Sequence, residues 1–268
     1  MSCQGATAQP ARLHVCSWNI HIGLERHTLL RSIAENAHFA DLDLLFLQEA
    51  SADHDGADTD LIAEVLGPPY AALQRNIDRR QNRIRGLGLI WNPAAINVTE
   101  VDLLELPHVR HPNIKRLHRY ALTAVRARRR WALTVTAEIG GHTLRAYNVH
   151  LNPGAFAYQM EQFQTILRDD EHRAPVDVVV LIGDFNSLRI DRRKWLAWFA
   201  ELARRGYVNV SEDVDWTFGA FRSRRFLRQK LDNILVKTRW PLEHSAHSQD
   251  IPGSDHLPLF ARLCWPAS

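Results

Sequence analysis

Nine apolar runs of strand length recur along the chain: "LHVCSWNI", "LDLLFLQE", "GLGLIW", "YALTAV", "WALTVTAEI", "TLRAYNVHL", "VDVVVLIGD", "LDNILV" and "HLPLFARL". Short runs rich in Val, Ile, Thr and aromatic residues read as strands, and "VDVVVLIGD" is apolar enough to be covered on both faces. Helical patterns lie between some of them. "FAYQMEQFQTILRDD" puts Phe156, Met160, Phe163 and Leu167 on one face, "HTLLRSIAENAHFA" steps likewise by threes and fours, and "DRRKWLAWFAELARRG" ends at Gly206 as a C-cap. "EIGGHTL" joins two strands through Gly140-Gly141, a tight hairpin that introduces antiparallel pairs and makes the sheet mixed. About nine to twelve strands with fewer helices predict two sheets packed face to face with helices outside, because apolar helix stripes must be buried somewhere.

The length of 268 residues, 46% of them hydrophobic, suffices for one large domain, and no Pro/Gly/Ser-rich linker divides it. We therefore expect a tail over residues 1–12 and a single domain over 13–268. Cys3, Cys16 and Cys264 lie far apart and form no C-x-x-C pair, which argues against a disulfide framework or a zinc finger. The start lacks a basic segment followed by a long apolar one, and no run approaches the ~18 apolar residues of a spanning helix, so the expectation is a cytoplasmic protein without a transmembrane segment. A monomer is the expectation. Trp195 and Trp198 read as core. The acidic stretch "ADHDGADTD" fails the calcium-loop pattern, because no Glu closes it, and reads as a solvated loop.

What the strands end on is more specific. "CSWNI" delivers Asn19, "LFLQE" Glu49, "AYNVHL" Asn148 and His150, "LIGDFN" Asp184 and Asn186, "QKLDN" Asp232, and "GSDHLPL" Asp255 and His256. Gly183 followed by Asp and Asn is also how any buried strand reaches a turn, so one such ending decides nothing. Four carboxylates beside core strands decide more, because a buried carboxylate is costly unless paired or metal-bound. Oxygen and imidazole donors without Cys favour a hard ion, Mg²⁺ or Mn²⁺, over structural zinc. Such a set is equipped to hydrolyse a phosphate ester.

In order and spacing, "SWNI", "LQE", "NVHL", "GDFNS", "LDNILV" and "SDHLPL" resemble the motifs of the endonuclease/exonuclease/phosphatase superfamily, from about Leu13 to Leu263. The resemblance implies a four-layer α/β/β/α sandwich with two packed mixed sheets and one active site at their rim. It implies that Glu49 is the main Mg²⁺ ligand, supported by Asn19, with Asp255 a further metal-side carboxylate. By the same resemblance Asp184 orients or deprotonates the attacking water, Asn186 binds phosphate, and His256 is the catalytic histidine polarised by Asp232. His150 matches the histidine that contacts phosphate or assists the leaving oxygen in the deoxyribonuclease and sphingomyelinase branches.

The chain departs from two branches. His21 stands where the apurinic endonuclease branch has an acidic residue, and "QKLDN" lacks the Trp-Cys-Asp-Arg motif of the inositol-phosphatase branch. The expected activity is metal-dependent phosphodiester hydrolysis with nucleic acid as substrate. A phospholipid or small phosphoester is the alternative, and an inert binding scaffold a minor one. The formal charge of +3 suits an anionic partner without demanding one. The preference for nucleic acid rests on "RSRRFLRQK", where Arg222, Arg224, Arg225, Arg228 and Lys230 could contact several phosphates and Phe226 could stack on a base; Asn148 is a further substrate-binding candidate. The run "RARRR", Arg126 to Arg130, reads as a solvated basic edge.

Overall fold

A computed structural model describes residues 10–80, 83–108, 129–153, 156–219 and 228–266. In the first sheet are β1 (Ala11–Asn19), β2 (Leu44–Asp53), β3 (Gly56–Ala57), β4 (Ala71–Arg80) and β5 (Arg83–Trp91). The second holds β6 (Asn97–Leu106), β7 (Arg130–Ile139), β8 (His142–His150), β9 (Val178–Asp184) and β10 (Tyr207–Asn209). Two short strands, β11 (Phe218–Gly219) and β12 (Arg228–Gln229), pair with each other. β13 (Asp232–Thr238) joins the second sheet, and β14 (Glu243–Ser248) and β15 (Leu259–Trp265) join the first. The first sheet runs β14-β15-β1-β2-β5-β4 with β3 beside β2, and the second runs β10-β13-β9-β8-β7-β6. Both are mixed: β1 lies parallel to β2 and β8 parallel to β9, while the other pairs in the two sheets are antiparallel.

Alternation along the strands explains the layers. Leu13, Val15, Phe46, Leu89, Val135, Val180, Ile234 and Leu263 point between the sheets and form one buried core. The opposite face of the first sheet packs Trp18, Leu45 and Phe260 against Leu29 and Ile33 of α1 (Arg26–Glu35) and Ile62 of α2 (Asp58–Leu66). The opposite face of the second sheet packs Tyr147, Leu181 and Leu235 against Phe163 of α3 (Phe156–His172) and Trp195 and Leu202 of α4 (Arg192–Arg204). The result is helix, sheet, sheet, helix.

The Gly140-Gly141 turn is the expected hairpin, with both residues at positive φ (54° and 80°) as a two-residue turn matched to strand twist requires. Other expectations need correction. β1 opens at Ala11, so the last residues of the expected tail already belong to the sheet; residues 1–9 and the run "YALTAV" lie outside the described residues. The "ADHDGADTD" segment is no solvated loop throughout. It forms β3 and the start of α2, and buried Asp58 accepts from the Ser51 backbone N–H at 2.6 Å, Ser51 Oγ at 2.8 Å and Arg26 Nε at 2.7 Å. Of the expected solvated edge, Arg126 and Arg128 lie outside the described residues and Arg129 is exposed, but Arg130 is buried and donates from Nε to Asn152 Oδ1 at 3.0 Å.

Candidate active site

At one end of the sandwich the two sheets bring their polar strand ends together. The first contributes Asn19 from β1, Glu49 from β2, Arg85 from β5 and His256 from the turn before β15; the second contributes His150 from β8, Asp184 from β9 and Asp232 from β13. The register places His150 beside Asp184 and Asp184 beside Asp232 on adjacent strands. All seven are buried, which their residue types forbid unless they satisfy one another.

Backbone irregularities aim them. The pairing of β2 with β5 slips between Gln48 and Ala50, and Glu49 has φ of 53°, so a bulge turns its carboxylate out of the strand's alternation and into the site. Gly183, at φ of 135°, passes so close to β8 that a Cβ there would stand 2.1 Å from the Val149 carbonyl oxygen. Only glycine fits, and the next residue is Asp184. Asn186 takes φ of 50°, donates its backbone N–H to Asp184 Oδ1 at 2.8 Å and anchors its side chain on the Leu151 carbonyl at 2.8 Å.

At the centre, His256 Nδ1 donates to Asp232 Oδ2 at 2.8 Å, and its other nitrogen lies 3.9 Å from Asp184 Oδ2. Thr217 Oγ1 accepts from the Asp232 backbone at 3.0 Å, and Trp18 holds the His256 carbonyl at 3.0 Å. Phe218 covers the imidazole, with ring centroids 4.9 Å apart. Asp184 Oδ2 also accepts from Asn19 Nδ2 at 3.1 Å and lies 3.5 Å from His150 Nε2, whose other nitrogen is 4.0 Å from Glu49 Oε1. Arg85 donates from Nη1 to the same Glu49 oxygen at 3.1 Å while Asp78 grips the rest of the guanidinium at 2.8 and 2.5 Å.

The charges shift each other. Burial works against a proton on His256, but the nearby carboxylates of Asp232 and Asp184 outweigh it, and the imidazole is pushed up to about 10. Burial pushes Asp184 up to about 6; the charge of His256 opposes the rise and that of Asp232 adds to it. Three buried carboxylates, Glu49, Asp184 and Asp232, thus face one imidazolium and one guanidinium shared with Asp78. Asp232 Oδ1, moreover, is buried without a hydrogen-bond partner among the described residues. Excess negative charge and oxygen-rich donors fit a hard divalent cation. Asp184, Asp232 and His256 form one group of ligand-type atoms within 4.8 Å of one another.

Not every expected residue joins the site. Asp255 sits at the rim, its carboxylate 3.5 Å from His21 Nδ1; like Glu49, the other carboxylate expected on the metal, it is outside that group. Asn148 is fully buried between the sheets, accepting from Gln48 at 2.7 Å and donating to the carbonyls of Leu47 and Gly88 at 3.0 and 3.2 Å, so it belongs to the seam and not to a substrate surface. Arg222, Arg224, Arg225 and Phe226 lie outside the described residues. Their neighbours point elsewhere than proposed: Arg228 stacks on Trp216 at 3.9 Å, and Lys230, its pKa lowered to about 8 by burial, donates Nζ to the carbonyls of Ser211 and Glu212. Arg85 and Asp78 are not among the expected residues, because they do not stand where an apolar strand ends. β5 runs antiparallel to β2, so the start of β5 reaches the same rim, and an Arg just before "GLGLIW" was the available signal.

The sequence model of the endonuclease/exonuclease/phosphatase family matches residues 16–256. The chain belongs to this family. Members of the superfamily are hydrolases acting on phosphoester bonds, and they generally depend on a divalent metal. Among solved structures the fold is similar to a family protein from Bacteroides thetaiotaomicron (TM-score 0.70, 16% identity, 96% of this chain and 99% of that one). It is also similar to one from Leptotrichia buccalis (0.67, 16%, 94% and 99%) and to TDP2 from C. elegans (0.64, 19%, 94% and 75%). No curated protein matches the chain by sequence. No helix among the described residues is long and apolar enough to cross a membrane.

Proposed function

We propose that this family member is a metal-dependent phosphodiesterase, with nucleic acid as its substrate class. The observation that carries the reading is the buried Asp232–His256–Asp184 arrangement, in which one carboxylate fixes the imidazole through Nδ1 at 2.8 Å and a second lies 3.9 Å from its other nitrogen. Glu49, with Asn19 beside it, would hold Mg²⁺ or Mn²⁺. When bound, the ion supplies charge to offset the developing negative charge on phosphate oxygen.

The chain's own residues divide the rest. Asp184, pushed up to about 6, matches a general base at neutral pH and takes a proton from the attacking water. As water oxygen bonds to phosphorus, the ester P–O bond opposite it breaks, and the leaving oxygen collects a proton from His150. The imidazolium of His256, fixed by Asp232, donates to a non-bridging oxygen, and Asn186 supports the phosphate. The test is turnover of bis(4-nitrophenyl) phosphate and of DNA with Mg²⁺. Asp184→Asn and His256→Ala should fold normally and lower kcat by at least ~10²-fold. Turnover near wild type in either variant overturns the assignment.

A further inference from the structure

The stretch after Asn186 reads Arg189-Ile190-Asp191-Arg192-Arg193-Lys194. It folds as a 3-10 turn, Arg189–Asp191, running straight into α4. Ile190 is 89% exposed, far more than the other exposed large apolar side chains described. Arg189, Arg192 and Arg193 are exposed, and of the four cations only Lys194 has a carboxylate partner among the described residues, Asp191 at 2.7 Å. Three cations occupy the first turn of α4 against one acid at that end, the N-cap Asp191, so the excess of positive charge runs against the helix dipole. Two locally unfavourable features, an apolar knob in water and cations at the positive helix end, therefore adjoin where the 3-10 turn meets α4.

That turn is rigidly attached to the site. Ser187 Oγ donates to the Lys230 carbonyl at 2.7 Å and accepts from Asn233 at 3.1 Å, and the Arg189 backbone N–H donates to Gln229 Oε1 at 3.0 Å. Gln229 pairs in turn with Phe218, the residue covering His256. The ridge and the β11–β12 hairpin are thus one wall beside the catalytic imidazole.

We infer that the Arg189–Arg193 ridge is a docking surface for the sugar-phosphate backbone of DNA, with Ile190 as an apolar wedge against a base step. This rests on the phosphodiesterase reading and names the surface by which that site takes a polymer. The cations match a polyanion, and side chains such as Ile are used to part stacked bases. A membrane is the weaker match. Helix α4 spends its apolar face on the core through Trp195, Trp198, Phe199 and Leu202, leaving Ile190 and the half-exposed Leu196 as the large apolar side chains outside.

The experiment measures anisotropy of a labelled DNA duplex against salt, in chelator, for the wild type, Arg192→Ala with Arg193→Ala, and Ile190→Ser. Salt-dependent binding is expected in the wild type. The double variant should bind about tenfold more weakly at low salt and flatten the log-log salt slope by about 1.8, the loss for two phosphate contacts. Ile190→Ser should weaken binding with the slope unchanged, since it removes no charge. No binding by the wild type, or affinity and slope unchanged in the double variant, overturns the inference. So does preferential binding to phosphatidylcholine vesicles containing phosphatidylserine that the double variant loses, which would assign the ridge to a lipid surface. Wild-type turnover of bis(4-nitrophenyl) phosphate is scored separately: its absence removes the proposed function, whereas binding in chelator decides the ridge alone.

Discussion

Replacing Gly183 by alanine tests whether the seam between β8 and β9 sets the catalytic geometry. The added Cβ would stand 2.1 Å from the Val149 carbonyl oxygen and 2.9 Å from its nitrogen, and both are backbone atoms that cannot rotate away. Relief requires the parallel strands to separate by about 1 Å, which strains their hydrogen bonds, and φ of 135° is itself costly for alanine at ~1–3 kcal/mol. Adding ~1–3 kcal/mol for overpacking gives a loss of roughly 2–6 kcal/mol. In a domain of this size that lowers Tm by roughly 4–12 °C. Because the next pair in register is His150 with Asp184, surviving folded protein should also turn over more slowly. Gly56→Ala is the control, since Gly56 has φ of 119° but nothing within 4 Å of an added Cβ, so it should lose only the strain part. Differential scanning calorimetry with a diester assay reads both. A Gly183→Ala protein with Tm within a degree or two of wild type, or no less stable than Gly56→Ala, would refute the packing argument.

Three other outcomes follow from the site and its supports. Activity should vanish in excess chelator and return with Mg²⁺ or Mn²⁺, because the donors are oxygen and imidazole; full activity in chelator would sink the metal assignment. Asp184 is raised from 3.8 to about 6, so the folded state binds more protons in that window and stability falls as pH rises through it, on the order of 3 kcal/mol in all. Asp184→Asn in chelator should therefore gain Tm over wild type above pH 6 and lose that gain toward pH 4; a pH-independent difference would contradict the burial argument. Asp58→Ala should cost ~1–3 kcal/mol by leaving the buried Ser51 donors without their acceptor while Arg26 keeps Asp53, as denaturant unfolding would show, and no measurable loss would mean that the network is dispensable.

How much of this was legible in sequence depended on where each strand lies. Eight of the nine apolar runs fall on β1, β2, β5, β7, β8, β9, β13 and β15, all interior to their sheets; the ninth is outside the described residues. The four edges, β14, β4, β10 and β6, carry none of these runs. Edge strands are half solvated and carry polar and charged residues, as "EHSAHS" and "NVTEVDLLEL" do, so they lack the apolar signal. The site divides the same way. Residues that close long apolar runs, such as Glu49 and Asp184, were visible, whereas Arg85 and its grip on Glu49 depend on strand direction, which no local pattern encodes. Asn148 shows the converse error: a polar residue beside a core strand served the core itself.

Among the bonds that tie the two sheets at this end are those of the site and its seam: Asn19 to Asp184, His256 to Asp232, and Gln48 to Asn148. Neither sheet holds a working half. Turnover consequently gauges how the two sheets are docked, and a slide too small to expose the hydrophobic core would silence the enzyme while its spectroscopic signature of folded structure stayed intact. In a denaturant titration catalysis should fade first, which makes activity the earliest sign of loosening in this sandwich.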